Sequence, residues 1–207
     1  MNLRIAMFFW IFTGFVNSQA QDAPGAFFSG FQAAVNFCQI DGDAASGFNK
    51  FGYTVGTSVG QSLGKGWSYE TGISLSERGS RRPFDPDLPA TAAFHYQFRT
   101  VDIPVFLGKS VNQKLSVGAG FRTTLLISAK ETEGIHLHLK EDVRKTGLLA
   151  CAKVGYVLDK QWQLQAEYQY GLVSIMKQGG GSLWFPTGAY HHCISAGCLF
   201  VLSSGQR

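Results

Sequence analysis

The chain is short of charge. Asp, Glu, Lys and Arg make up 15% of its 207 residues, well under the roughly 25% of an ordinary soluble domain, so an ordinary globule would have little with which to cover its surface. Long apolar runs are missing too: beyond the first twenty residues, no stretch approaches the ~18 uninterrupted apolar residues of a spanning helix. That excludes a helical membrane bundle. No glycine-rich phosphate loop and no nucleic-acid motif is present, and a pI near 8.9 is weak grounds for a nucleic-acid partner. What the chain has in quantity is glycine, 25 residues, and aromatics, 14%.

The N-terminus carries an address. Met1 to Ala20 has one positive charge, Arg4, then an uncharged stretch from Ile5 to Val16, then Ser18-Gln19-Ala20 with small residues at the −3 and −1 positions of a cut before Gln21. This pattern predicts a secretory signal peptide over residues 1–20, because the apolar run is shorter than the ~20 residues a spanning helix needs. Taking it away leaves a single domain, 21–207, and lowers the formal charge from +4 to +3, since only Arg4 is lost.

In that domain hydropathy alternates with a period of 2. From Gln161 to Leu172 the even positions are Trp, Leu, Ala, Tyr, Tyr and Leu, and the odd ones Gln, Glu or Gly. At 100° per residue a helix would scatter that apolar set around its whole circumference, so the segment is a strand with one greasy and one wet face. The same alternation marks strands around Phe31–Cys38, Phe51–Gly60, Trp67–Ser76, Ala93–Lys109, Leu115–Leu125, Gly147–Tyr156 and His192–Leu202. Between Ala93 and Lys109 the aromatic set Phe94, Tyr96, Phe98 changes parity to Val101, Ile103, Val105, Leu107, which predicts a bulge near Arg99 and Thr100. Pro104 fits a bulge, an end or a distorted edge.

The connections alternate in length. Leu63–Gly66, Ser110–Gln113 and Asp159-Lys160 are tight, whereas Asp41–Lys50, Gly79–Thr91, Ala129–Lys145 and Val173–Ala189 are long. Short periplasmic turns alternating with long outer loops are the mark of a transmembrane barrel, and a Greek-key sandwich has no reason to keep that order. Together with an even strand count and an export signal, this predicts an all-β fold: an eight-stranded antiparallel up-and-down transmembrane β-barrel in the outer membrane of a Gram-negative bacterium.

The two faces then divide the residues. Trp67, Tyr69, Phe121, Trp162, Tyr168 and Tyr170 lie on the apolar, lipid-facing side, with several aromatics at strand ends. A cation facing lipid at mid-bilayer costs about 2–4 kcal/mol, so Glu70, Arg122, Lys153 and Glu167 are expected inside the lumen, joined by Arg99 if the bulge allows.

The residues Gly30-Phe31 to Val35-Asn36, Ile40-Asp41-Gly42-Asp43, Gly52-Tyr53, Trp67, Glu70-Thr71-Gly72, Leu75-Ser76, Arg78-Gly79 and Val101-Asp102-Ile103-Pro104-Val105 resemble the PorT-like outer-membrane barrels (porin family) of Bacteroidetes-type bacteria. The resemblance spans nearly the whole domain and implies an outer-membrane location, with a role in protein secretion for some members.

Eight strands enclose an interior that side chains can fill. The lumenal set is therefore expected to be either an ion-pair network plugging the barrel or a polar path for a small solute. Cys38 and Cys193 share lumenal parity on the first and last strands, which must be neighbours in a closed barrel; they are either a cross-strand disulfide or two unpaired small side chains. Cys151 is expected in the lumen and Cys198 against lipid. No metal or other cofactor is expected: His136 and His138 have ligand spacing but lack a third donor, and the four cysteines do not show metal spacing. His192 and Ser195 have opposite parity and cannot share a face as a hydrolase pair would require.

In the long loops, the apolar cluster Leu183-Trp184-Phe185 after Gly179-Gly180-Gly181 can contact another protein or the headgroups, and Arg81-Arg82 can pair with lipopolysaccharide phosphates. The expected partners are outer-membrane lipid and lipopolysaccharide and another envelope or secretion protein, with the barrel itself a monomer. The sequence thus predicts a non-enzymatic structural or accessory envelope protein. A narrow solute channel is the alternative, and a lipid-modifying enzyme the third reading.

Overall fold

In a computed structural model, the residues described are 25–42, 47–83, 93–131, 143–175 and 188–205. Eight strands run through them: β1 Phe27–Asp41, β2 Lys50–Gly64, β3 Trp67–Arg82, β4 Phe94–Ser110, β5 Leu115–Glu131, β6 Thr146–Val157, β7 Trp162–Gly171 and β8 Tyr190–Gly205. Each pairs antiparallel with the next, and β8 returns to pair with β1 from Phe27↔Gly205 to Asp41↔Tyr190. The fold is the closed eight-stranded barrel that the alternation predicts. Among the described residues no helix is long and apolar enough to cross a membrane. The proposed leader, residues 1–20, lies outside the described residues, as do Leu183, Trp184, Phe185, His136 and His138.

Local chemistry sets the tight turns. Gly64, Lys65 and Gly66 all take positive φ, 83°, 54° and 74°, and two of the three have no Cβ to oppose it. At the β4–β5 turn the Asn112 side-chain oxygen accepts the N–H groups of Lys114 and Leu115, both at 2.8 Å; at the β6–β7 turn Asp159 does the same for Gln161 and Trp162. These turns and the two chain ends of the sheet share one rim. The four long connections share the other.

Strands β3 and β5 extend beyond their expected ends, and the parity change in β4 has a different cause from the one the sequence suggests. The β3–β4 register holds one value from Trp67↔Lys109 to Arg82↔Phe94, so β4 has no extra residue. The shift lies in the β4–β5 ladder, where Arg99 pairs with Ser128 and Thr100 with Leu126; the extra residue is Ile127, on β5. Phe94 and Phe98 are buried on the inner face and Ile103 and Val105 are exposed on the outer one, at opposite parity throughout. What changes along β4 is the environment. In the lower part the wall is apolar outside and polar inside; near the long-loop rim Ile40, Phe98, Ala129, Val143 and Ile175 form an apolar cluster inside the barrel.

Arg81 and Arg82 are likewise in strand β3 rather than in a loop. The β3–β4 pairing lapses opposite Pro104, which has no N–H to give, and Thr71 Oγ1 instead donates to the Pro104 carbonyl at 2.8 Å.

Candidate functional site

The inner faces of β1, β2, β3, β4, β5, β7 and β8 fill the lumen with one bonded polar network. At its centre Arg78 and Asp102 form an ion pair, Nη2 to Oδ2 2.7 Å, with both side chains 0% exposed. Arg78 also donates from Nη1 to Thr100 Oγ1 at 3.0 Å and from Nε and Nη2 to Gln169 Oε1 at 3.0 and 2.9 Å. Thr100 Oγ1 donates to the other Asp102 oxygen at 2.7 Å.

Arg122 lies 3.6 Å from Asp102 Oδ2, donates from Nη1 to Ser74 Oγ at 3.2 Å, and grips both Glu167 oxygens from Nη2 at 2.7 and 2.8 Å. A second arm leaves Gln169, whose Nε2 donates to Ser195 Oγ at 3.1 Å. Ser195 donates in turn to Asn36 Oδ1 at 2.7 Å, and Asn36 Nδ2 donates to Thr54 Oγ1 at 2.9 Å. Two arginines face two carboxylates, so the centre is formally neutral. That matters because a buried unpaired charge is the costly case.

A second pair lies nearer the short-turn rim. Lys153 Nζ meets Glu70 Oε2 at 2.6 Å and sits 4.4 Å from the Phe106 ring centroid, while Ser58 Oγ donates to Glu70 Oε1 at 2.8 Å. The remaining space is small. A void beside Arg122, Glu167 and Gln169 measures about 20 Å³, room for little more than a water molecule.

Of the five residues expected inside, Glu70, Lys153, Arg122 and Glu167 line the lumen as two separate pairs. Arg99 does not join them. Because β4 carries no bulge, Arg99 keeps the outward parity of Val101, and its Nε bonds Glu77 Oε2 at 3.1 Å with the Arg99 side chain 43% exposed. Glu77 Oε1 takes Lys50 Nζ at 2.8 Å. This triad closes the place where β3 parts from β2 above Thr54↔Ser76. There Gly52 has no Cβ to collide with the Glu77 carbonyl, which accepts Asn36 Nδ2 at 3.1 Å.

Arg78, Asp102, Glu77 and Lys50 escape the sequence reading. Arg78 has the parity of Glu70 and Ser74 and Asp102 that of Thr100, so running β3 past Ser76 at the same parity is the signal that would have found the central pair.

Cys38 and Cys193 sit directly opposite each other in the β1–β8 ladder, both 0% exposed, and are joined as a disulfide across the seam where the barrel closes. Cys151 is buried on the inner face of β6; Cys198 is half-buried at the outward parity of β8. His192 takes the outward side among the rings of Phe48, Tyr168 and Tyr170, whereas Ser195 faces inward. Arg81 points outward with His95, and Arg82 inward over the Phe94 ring, 5.1 Å from its centroid. Among the described residues, no three His, Cys, Asp or Glu side chains converge to hold a metal.

A family model described as an outer membrane protein beta-barrel domain matches residues 19–177. No curated protein matches the chain. Similar solved structures include Ail, the attachment invasion locus protein of Yersinia pestis, in complex with the heparin analogue sucrose octasulfate. It is 12% identical, covers 86% of this chain and 99% of that one, and has a TM-score of 0.46. Neisserial surface protein A is 14% identical over 85% and 98% of the two chains, with a TM-score of 0.49. OprG from Pseudomonas aeruginosa is 11% identical over 88% and 99%, with a TM-score of 0.39.

Proposed function

The chain belongs to the outer membrane protein beta-barrel domain family, and from that premise we propose that it is a non-enzymatic structural or accessory envelope protein that works through its long-loop rim. One observation carries this reading: the lumen is occupied at its centre by Arg78 and Asp102, neither with any exposed side-chain surface. A solute crossing at that level would have to part a charge-assisted pair whose members have no water to replace each other. Recognition then falls to the loops, as it commonly does on a rigid scaffold.

Residues 1–20 act as the export signal, and the long connections face outward from the cell, in keeping with the rule that barrel turns on the periplasmic side are short. The resemblance to PorT-like barrels supports a partner within a secretion assembly, with Leu183, Trp184 and Phe185 as its apolar contact.

Planar-bilayer recordings of the purified barrel test the closed lumen: no conductance steps are expected, and discrete steps would favour the narrow channel instead. Mild-detergent extraction from native outer membranes tests the accessory role. Co-purification of a second envelope protein is expected, and recovery as a lone barrel would count against it. N-terminal sequencing of the mature protein should begin at Gln21.

A further inference from the structure

On the outer wall, the apolar band ends abruptly at Leu75, Val101 and Ile127 on strands β3, β4 and β5, all on the lipid side. The next outward positions are Glu77, Arg99 and Ser128, then Gly79, Gln97 and Lys130, then Arg81 and His95, as the two ladders align them. Arg81 and Lys130 are exposed and Arg99 is 43% exposed. With strands about 4.8 Å apart and residues about 3.4 Å apart along each, the three cations lie within roughly 15 Å of one another. The carboxylate among them, Glu77, is already held by Lys50 and Arg99. Lys50 has the inward parity of Cys38 and offsets Glu77, so among the described outward positions Arg81, Arg99 and Lys130 leave the patch positive.

Its height is set by the opposite rim. Lys109, with its Nζ 5.0 Å from the Trp67 ring centroid, marks the short-turn edge of the same wall. From Lys109 to Arg99 is ten residues of unbroken β4, about 34 Å along the strand and roughly 25 Å along the membrane normal at the usual barrel tilt, which is the thickness of the lipid-facing band. Arg99, Lys130 and Arg81 therefore stand at and just above the headgroup plane of the leaflet on the long-loop side. Around the rim the charge is uneven: on β1 and β8 the corresponding outward groups are Asp41 and His192, 3.5 Å apart, beside Tyr168 and Tyr170.

Resting on the outer-membrane reading above, we propose that Arg81, Arg99 and Lys130 form a membrane-facing site for the phosphate groups of the outer-leaflet glycolipid, fixing one phosphorylated lipid against the β3–β5 side of the barrel. Guanidinium groups match phosphate oxygens in pairs, and a cation at the headgroup plane meets phosphate at low desolvation cost. The site divides the expected Arg81-Arg82 pair, since only Arg81 faces this way.

The test uses the full-length mature barrel refolded into phosphatidylethanolamine nanodiscs doped with bisphosphorylated lipid A or with the same lipid enzymatically dephosphorylated, and reads retained lipid by native mass spectrometry. The phosphorylated lipid should be retained at least tenfold more than the dephosphorylated one. The double variant Arg81→Glu, Lys130→Glu, which leaves the Arg99–Glu77 pair intact, should abolish that preference while keeping its heat-modifiable gel shift. If the reversals fail to fold, Arg81→Gln, Lys130→Gln should lower retention at least threefold. Equal retention of the two lipids, or unchanged retention by the folded variants, overturns the site. Recovery of the wild-type chain outside the outer-membrane fraction would instead overturn the location on which the site depends.

Discussion

Arg78 on β3 and Asp102 on β4 face each other across 2.7 Å inside the barrel, each with a fully covered side chain, and the rest of the lumenal network is arranged around them. Asp102 is shared: it also lies 3.6 Å from Arg122, which holds Glu167.

Removing the shared carboxylate should be the most damaging single change in the lumen. Asp102→Ala leaves two buried guanidinium groups with one carboxylate between them, and breaking a buried pair on one side costs about 3–5 kcal/mol. Urea-unfolding midpoints in detergent or nanodiscs should fall accordingly. The double change Arg78→Met, Asp102→Leu should recover much of the loss; if it is as unstable as the single one, the pair is not what the loss reports.

The cost of losing an ion pair should follow its burial. Glu70→Gln removes a pair whose members are 11% and 15% exposed and should cost about 1.5–3 kcal/mol, the range for a hydrogen bond to a charged group. Arg99→Gln, with its side chain 43% exposed, should cost under about 1 kcal/mol. Measured midpoints in the reverse order would contradict the inward and outward placement of these residues.

The seam disulfide should stabilise the closed barrel. Cys38→Ser should lower stability by about 2–5 kcal/mol, the usual cost of losing a native bridge, and reductant should do to the wild type what the substitution does. Peptide mapping under non-reducing conditions should find Cys38 linked to Cys193 and leave Cys151 and Cys198 free. A thiol count of four in the unfolded, unreduced chain would remove the bridge.

Val105 is on the outer wall near the middle of the apolar band, 55% exposed to whatever surrounds it. Val105→Arg should cost about 2–4 kcal/mol of insertion free energy and reduce the folded, heat-modifiable fraction. Unimpaired insertion would mean that this wall does not meet lipid.

The barrel was legible because, across the lipid-facing part of each strand, apolar and polar residues must alternate: hydrocarbon lies on one side and a polar lumen on the other. Trp162 to Gly171 displays this plainly. The reading weakened where strands rise above the band. At Glu77-Arg78-Gly79-Ser80 both faces are polar, so the alternation stops although β3 continues, and Arg78 was lost with it. In β4 the faces exchange character. Phe94 and Phe98 turn inward, Phe98 into the apolar cluster, while Gln97 and Arg99 turn outward, and hydropathy alone presents this exchange as a bulge in the wrong strand. Asp102 was visible as a residue between Val101 and Ile103, but its partners come from β3 and β5, and no local pattern joins them.

The bonds from Arg78 through Gln169 and Ser195 to Asn36 run from β3 across the barrel to β7, then β8, then β1. They therefore pass over the seam. While the sheet is still open, Arg78 has Asp102 and Thr100 from the neighbouring strand but lacks Gln169, and Asn36 lacks Ser195. Closing the cylinder and satisfying its interior are then one event, so half-closed sheets should be poorly populated and the barrel should assemble in a single cooperative step.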